Sequence, residues 1–305
     1  MRAVLTAGAV GLALVLDAAV AELPTPVHPV AWFGRAVGAL DRDWPAPRLV
    51  GLVGALAFPL AAGVLVWTVV AAATAFAPLA GAAVAGLVLF VTTSLRRLLS
   101  AVRTVSEATE RDLTLAREEL RALAGRDASA LSAGQVRSAA VESAAENLAD
   151  GLVAPLLAFA VGAQFSPAIG AAAAAWVKAV NTMDSMLGYR SKPVGWGPAR
   201  LDDAAMWVPA RASALLLAVA TGAPTATRRA SRWVESVPSP NSGWPMGALA
   251  AGLDVRLEKP DVYVLNADAN LPTVADARAA VRTVAVAGGL AYALTAALVV
   301  LPEVR

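Results

Sequence analysis

Apolar runs near residues 3–20, 49–70, 75–92, 152–180, 204–221 and 283–301 constrain this chain more than any other feature. A membrane-crossing helix needs about 20 mostly apolar residues, and in hydrocarbon only helices and closed barrels satisfy their own backbone. These runs are continuous rather than alternating, so they read as helices. The expected fold is all-α: a polytopic helical membrane protein, one integral membrane domain over residues 1–305, located in the cell membrane. Composition agrees, since 58% of residues are hydrophobic and mean hydropathy is +0.61, too apolar for an ordinary soluble domain. The net charge of +2 offers no basis for a nucleic-acid partner, and the basic residues read as loop charges that orient the spans. With no cysteine and a single histidine, His28, the chain excludes disulfides, thiolate zinc sites, a Cys nucleophile and a multi-His metal centre. A metal here would take oxygen ligands, which suits Mg²⁺.

Ala19-Val20-Ala21 has the form of a signal cleavage site, but Asp17 interrupts the apolar region, so a retained first span is expected. The polar loop 22–48 contains PVHPVAWFGR, with Trp32 and Phe33 suited to the membrane interface. The next two runs, the second beginning near Ala75, are rich in Ala and Gly and should form a close helical hairpin, with a kink at Pro59. Segment 94–150 changes character. Leu95, Leu98, Leu99, Val102, Val105, Leu113, Leu120 and Leu123 recur near helical spacing, which predicts one amphipathic helix over 94–124 outside the membrane. From Arg96 to Arg137 there are eight Arg and six acids, which places this segment and the other polar site loops in the cytoplasm. Ser132 and Gln135 predict a capping box for a further helix ending near Asp150-Gly151. Residues 152–180 read as two short helices joined at 164–167, a re-entrant or tightly tilted pair. Residues 188–203 and 222–281 read as polar loops, the second with a turn at Ser239-Pro240-Asn241 before a helix at 245–253. The run 204–221 is broken by Pro209 and Arg211, and Arg278 and Arg282 precede the last span.

Polar residues threaded through apolar segments point to function. A charge at a helix centre costs roughly 2.5–3.5 kcal/mol on insertion scales. Glu142, Glu146 and Asp150 form an acidic stripe at i, i+4, i+8, with Asn147 beside it; Lys178, Asn181 and Asp184 follow at i, i+3, i+6; Asp202, Asp203 and Arg211 come later. No phosphate-loop, dinucleotide or serine-nucleophile motif is present. Three readings stay open on residues alone: Mg²⁺-assisted handling of a phosphorylated substrate, transport through broken helices, and a structural membrane protein with buried ion pairs. Each residue also has a plain structural reading. Glu142 could pair with Arg137, Lys178 with Asp184, Arg211 could snorkel, and Asn241 could cap a helix.

Seven segments occur in order between His28 and Asn266: HPVAWFGR, GRDASAL, VESAAENLADGLVAPL, KAVNTMDSMLGY, ARLDDAAMWVPAR, SPNSGWPMGALAAGL and EKPDVYVLN. This arrangement resembles the adenosylcobinamide-phosphate synthases of cobalamin biosynthesis, the CobD/CbiB proteins. The resemblance implies a multi-pass membrane enzyme that joins (R)-1-amino-2-propanol, or its O-phosphate, to the free propionate carboxylate of adenosylcobyric acid. It implies ATP as co-substrate and Mg²⁺. For that reaction the expected catalytic residues are Lys178, Asp184, Asp150, Glu146 and His28. Asn147, Asn181, Tyr189, Arg200, Arg211, Ser239, Asn241 and Arg35 would bind substrate, and Asp202, Asp203, Asp184 and Asp150 would hold the metal. The expected partners are the corrinoid, aminopropanol phosphate, the lipid bilayer, other membrane proteins of cobalamin assembly and a second copy of the chain. The alternative is a membrane transporter or non-catalytic membrane subunit for a corrinoid or phosphorylated substrate. One departure stands out. Family members carry Gly-Asp-Pro between the first-span Asp and His-Pro-Val, whereas Asp17 is followed here by AAVAELPTPVHPV, with Glu22 the acid in that interval.

Overall fold

The computed structural model describes residues 1–125, 127–189 and 191–300. Arg126, one of the eight arginines counted above, and Leu301, the end of the last apolar run, lie outside the described residues. The fold is all-α and polytopic, with five helices long and apolar enough to cross a membrane, or six if one bent pair is a single span. Backbone contacts divide the chain into two compact units, Met1–Ser94 with Asp150–Met206 and Ala291–Arg305, and Leu95–Ala149 with Trp207–Leu290.

The first unit is built on helices α1 (Arg2–Val20), α2 (Pro29–Gly38), α3 (Pro47–Phe76), α4 (Pro78–Thr92), α8 (Ala154–Ala163), α9 (Pro167–Leu187) and α10 (Trp196–Ala205). Helix α3 runs through Phe76, so α4 starts at Pro78 rather than near Ala75: Pro78 supplies no N–H and fits a first helical turn. The hairpin α8–α9 is present as expected, with Ser166 capping α9 through the Ile169 N–H. Its two backbones approach closely because Gly162 and Gly170 face each other; a Cβ on Gly162 would lie 2.8 Å from the Ile169 carbonyl oxygen, and one on Gly170 would lie 2.9 Å from that of Phe159. Residues 196–203, read above as loop, belong to helix α10, which therefore carries Asp202 and Asp203. The helix break after α10 falls at Met206 instead of Pro209, because Pro209 lies in the first turn of the next helix, where its missing N–H has no acceptor to leave unpaired.

The second unit holds α5 (Arg96–Ala108), α6 (Leu113–Leu120), α7 (Ala133–Leu148), α11 (Trp207–Ala220), α12 (Ala226–Ala230) and α13 (Gly243–Leu253). It also has a two-stranded antiparallel hairpin, β1 (Leu257–Lys259) and β2 (Tyr263–Leu265), which the sequence reading missed. The amphipathic segment is two helices. Asp112 ends one and caps the next, accepting the N–H groups of Thr114 and Leu115. The Ser132–Gln135 capping box is formed.

Two helices are longer than expected. The acid-striped α7 does not stop at Asp150-Gly151; a π turn at Ala149–Val153 carries it into α8 as one apolar helix, Ala133–Ala163. Pro155 has no N–H for the Gly151 carbonyl, which instead accepts the Ser94 N–H at 3.1 Å. Helix α14 (Val274–Val300) begins nine residues before Thr283, so Arg278 and Arg282 lie within it; Arg278 meets Glu107 at 3.2 Å.

Gly170→Ala is expected to destabilise the protein by about 1–3 kcal/mol through overpacking. Gly8, where a Cβ would meet nothing within 4 Å, is the control: Gly8→Ala should leave stability unchanged or raised. Thermal unfolding of the two variants in detergent checks the contrast.

Candidate active site

Helix α9 carries Lys178, Asn181 and Asp184. Alanines 171–175 favour the helix, and Thr182 and Ser185 turn their hydroxyls back to the carbonyls of Lys178 and Asn181, at 2.8 and 2.9 Å. Among the described residues Lys178 is the sole charged one lining a cavity of about 650 Å³, whose walls include Phe33, Phe58, Leu65, Val88 and Val91. The charges that act on its ammonium are those of Asp150 and Glu22. His28 Nε2 lies 3.8 Å from Glu22 Oε1. The structure therefore brings together Lys178, Asp150 and His28 of the expected catalytic set and adds Glu22. The acids whose charges bear on Lys178 are these two and not Asp184.

His28 caps α2. Its Nδ1 accepts the Val30 N–H at 3.2 Å, so Nε2 carries the proton of the neutral ring and faces Glu22. Burial pushes the imidazole below its ordinary value of 6.5; Glu22 opposes this shift and Lys178 adds to it. Arg35 is exposed in the last turn of α2, seven residues and about 10 Å of helix from His28.

A second cluster begins two turns along α9. Asp184 is electrostatically coupled to Asp203, which is paired with Arg200 at 3.2 Å across i, i+3 on α10; Asp202 is its chain neighbour. Gly188 belongs to this cluster, because any side chain there would strike the Asp184 carboxylate. Tyr189 stands under Lys192, whose ammonium is 5.4 Å from the ring centroid and 2.7 Å from Asp41. Among the described residues no group of three or more His, Cys, Asp or Glu converges as a metal cage. Mg²⁺ asks less than that, one or two carboxylates with water and phosphate completing the octahedron, and the Asp184–Asp203 pair fits that donor set. Of the four expected metal ligands these two are brought together, while Asp150 stands with Lys178.

The remaining expected residues lie in the second unit. Glu146 and Asn147 are on α7, where Asn147 Nδ2 donates to the Ser143 carbonyl at 3.0 Å. One turn earlier Glu142 is fully buried and accepts from Ser138 Oγ at 3.0 Å and from Tyr263 OH at 2.8 Å. Ser138 Oγ also accepts the Glu258 N–H at 2.8 Å, so α7 and the β-hairpin are fastened by one polar network. Tyr263 was missed in the sequence because three-residue strands leave too few alternations to read. Ser239 Oγ accepts the N–H groups of Asn241 and Ser242, which builds the expected turn, and Asn241 Oδ1 accepts from Arg211 Nη1 at 3.3 Å.

A family model described as "CobD/Cbib protein" matches residues 10–292. The chain is 35% identical over 305 residues to a probable cobalamin biosynthesis protein CobD of Methanothrix thermoacetophila, covering 95% of this chain and 96% of that protein. It is 38% identical over 286 residues to the cobalamin biosynthesis protein CobD of Mycobacterium tuberculosis, covering 85% of each. A third relative, the cobalamin biosynthesis protein CobD of Klebsiella pneumoniae, is 34% identical over 269 residues, covering 83% of this chain and 82% of that protein. No solved structure matches.

Two outcomes follow from this geometry. The folded state resists protonation of His28, so the unfolded chain binds more protons below pH 6.5. Stability should fall as pH drops from about 6.5 through the lower folded value, and His28→Asn, which keeps a capping acceptor, should flatten that fall in thermal unfolding from pH 8 to 5. Tyr263→Phe removes a hydrogen bond to a buried carboxylate and should cost about 1.5–3 kcal/mol, read as a lowered unfolding midpoint in detergent.

Proposed function

The chain belongs to the CobD/CbiB family of cobalamin biosynthesis proteins, and we propose that it acts there as an amide-forming synthase. It would join (R)-1-amino-2-propanol, or its O-phosphate, to the free propionate carboxylate of adenosylcobyric acid, at the expense of ATP. The observation that carries this reading is Lys178 at the edge of a large apolar cavity, under the charges of Asp150 and Glu22, with Asp184 further along the same helix and under the charge of Asp203 on α10. An apolar cavity with a few convergent polar groups is the usual form of a small-molecule site.

A carboxylate and an amine do not condense unaided. In the proposed sequence the propionate oxygen attacks the terminal phosphorus of ATP and releases ADP. The amine nitrogen then attacks the acyl carbon, inorganic phosphate leaves, and the nitrogen loses a proton. Lys178 would stabilise the oxygen that gains charge in each step. Glu22, already neighbour to both Lys178 and His28, would receive the amine proton, since the His28 Nδ1 is engaged by the Val30 N–H. Asp184 and Asp203 would hold Mg²⁺, whose charge would offset that of the phosphates. Arg200, paired with Asp203, would orient that carboxylate. The Arg-rich segment Arg96–Arg137 supports placing the polar side of the chain in the cytoplasm, where ATP is available.

Mass spectrometry of the purified protein with adenosylcobyric acid, the amine or its phosphate, ATP and Mg²⁺, each omitted in turn, tests the reaction. A condensed mass that requires ATP is the expected product; its absence from a folded protein under every combination defeats the reading. Lys178→Met and Asp184→Asn should each lower turnover by about 10²-fold or more while membrane insertion is retained. Wild-type rates in either variant would remove that residue from the mechanism.

A further inference from the structure

Arg211 on α11 is held unlike any other arginine described. Its guanidinium carbon lies 4.1 Å from the ring centroid of Trp207 and 5.1 Å from that of Trp244, so two indoles grip it. Nη1 donates to the Trp207 carbonyl at 2.7 Å and to Asn241 Oδ1 at 3.3 Å. Asn241 is itself buried and held by the Ser239 turn. These contacts occupy one corner of the fork. Among the described residues none accepts from Nε or Nη2, and no carboxylate acts on the guanidinium.

A cation in an apolar helix is costly, and most such residues find an acid. This one is given aromatic faces and an amide oxygen instead, which fix its direction without neutralising it. The remaining Nε–Nη2 edge presents two parallel donors, the geometry that matches two oxygens of a phosphate. A merely snorkelling arginine would not need a second indole or a turn-held asparagine to orient it.

We propose that the Arg211 clamp binds a phosphate group, and that in the synthase reaction this is the phosphate of aminopropanol O-phosphate. The inference rests on the synthase reading for its substrate and on the clamp alone for its chemistry. It makes Arg211 the residue that separates the phosphorylated amine from the free amine. A phospholipid headgroup offers the same oxyanion, and the test separates the two sources.

Binding of aminopropanol O-phosphate and of aminopropanol to the detergent-solubilised full chain would be measured by calorimetry, without ATP or corrinoid. The comparison is wild type against Arg211→Gln and Arg211→Lys; the lysine variant keeps the charge, so folding is retained while the fork is lost. The phosphate ester should bind on the order of tenfold more weakly to Arg211→Lys and weaker still to Arg211→Gln, with aminopropanol unaffected. Equal loss for both amines, or no loss for the ester, overturns the proposal. Native mass spectrometry supplies the second arm: a co-purified phospholipid that depends on Arg211 and blocks the ester would assign the clamp to a headgroup and overturn the substrate assignment. Failure of the synthase reading looks different. Arg211-dependent ester binding with no condensed product sinks the synthase and leaves the clamp, whereas product formation with the same kcat/KM ratio for the two amines in every variant sinks the clamp and leaves the synthase.

Discussion

Every polar group carried into an apolar bundle has to find its partner inside the protein, and most of this architecture follows from that requirement. The simplest solution is local. Thr6, Thr68, Thr74, Thr92, Ser213, Thr221 and Thr295 each return a hydroxyl to a carbonyl of the preceding turn of their own helix. Charged groups cannot be satisfied this way. They gather instead: Lys178 with Asp150 and Glu22, Asp184 with Asp203 and Arg200, Glu142 with Ser138 and Tyr263. Such gatherings need helices that approach closely, and the small residues of α3, α8 and α9 permit it. The glycines of the α8–α9 hairpin and the alanines of α9 therefore act on the site through backbone spacing.

The spans were legible because burial in hydrocarbon writes itself as long apolar runs, and four of the five helices long and apolar enough to cross a membrane fall on expected runs, while the fifth, Ala133–Ala163, joins a helix expected outside the membrane to the first half of the expected short pair. Their ends were less legible. The first turns of α14 read as loop because they carry Asp276, Arg278 and Arg282, yet Asp276 closes the helix start with Thr273 and Arg278 reaches Glu107. The continuation of α7 into α8 was hidden because Asp150-Gly151 looks like a helix end, and a residue distant in sequence, Ser94, supplies the donor for the Gly151 carbonyl that Pro155 cannot serve. That partner is a tertiary fact, and no local pattern encodes it.

The site was half legible for a related reason. Spacing identified Lys178, Asn181 and Asp184 as members of one helix, which α9 is. Spacing also shows why Lys178 and Asp184 do not pair, since six residues turn a helix through about 600°, leaving the two side chains roughly 120° apart. What each one meets instead depends on α8, α10 and the loop before α2, so Asp150, Asp203 and Glu22 could be identified as partners only once those elements were placed. Gly188 was silent in sequence because its contribution is the absence of a side chain beside Asp184.

The two apolar-segment cations that the sequence singled out, Lys178 and Arg211, turn out to be electrostatically unlike. Lys178 has two acids, Asp150 and Glu22, acting on it. An anion entering that cavity shares the ammonium with those acids, so what Lys178 offers is stabilisation of charge that develops close to it. Arg211 has indole faces and carbonyl-type oxygens but, among the described residues, no carboxylate acting on it, so its charge is still available to a ligand. The same residue class, inferred from the same cost of burying charge, thus divides into a cation that is held to do chemistry at short range and one that is held to recruit. Charge balance around each group draws that distinction, where sequence position and burial alone do not.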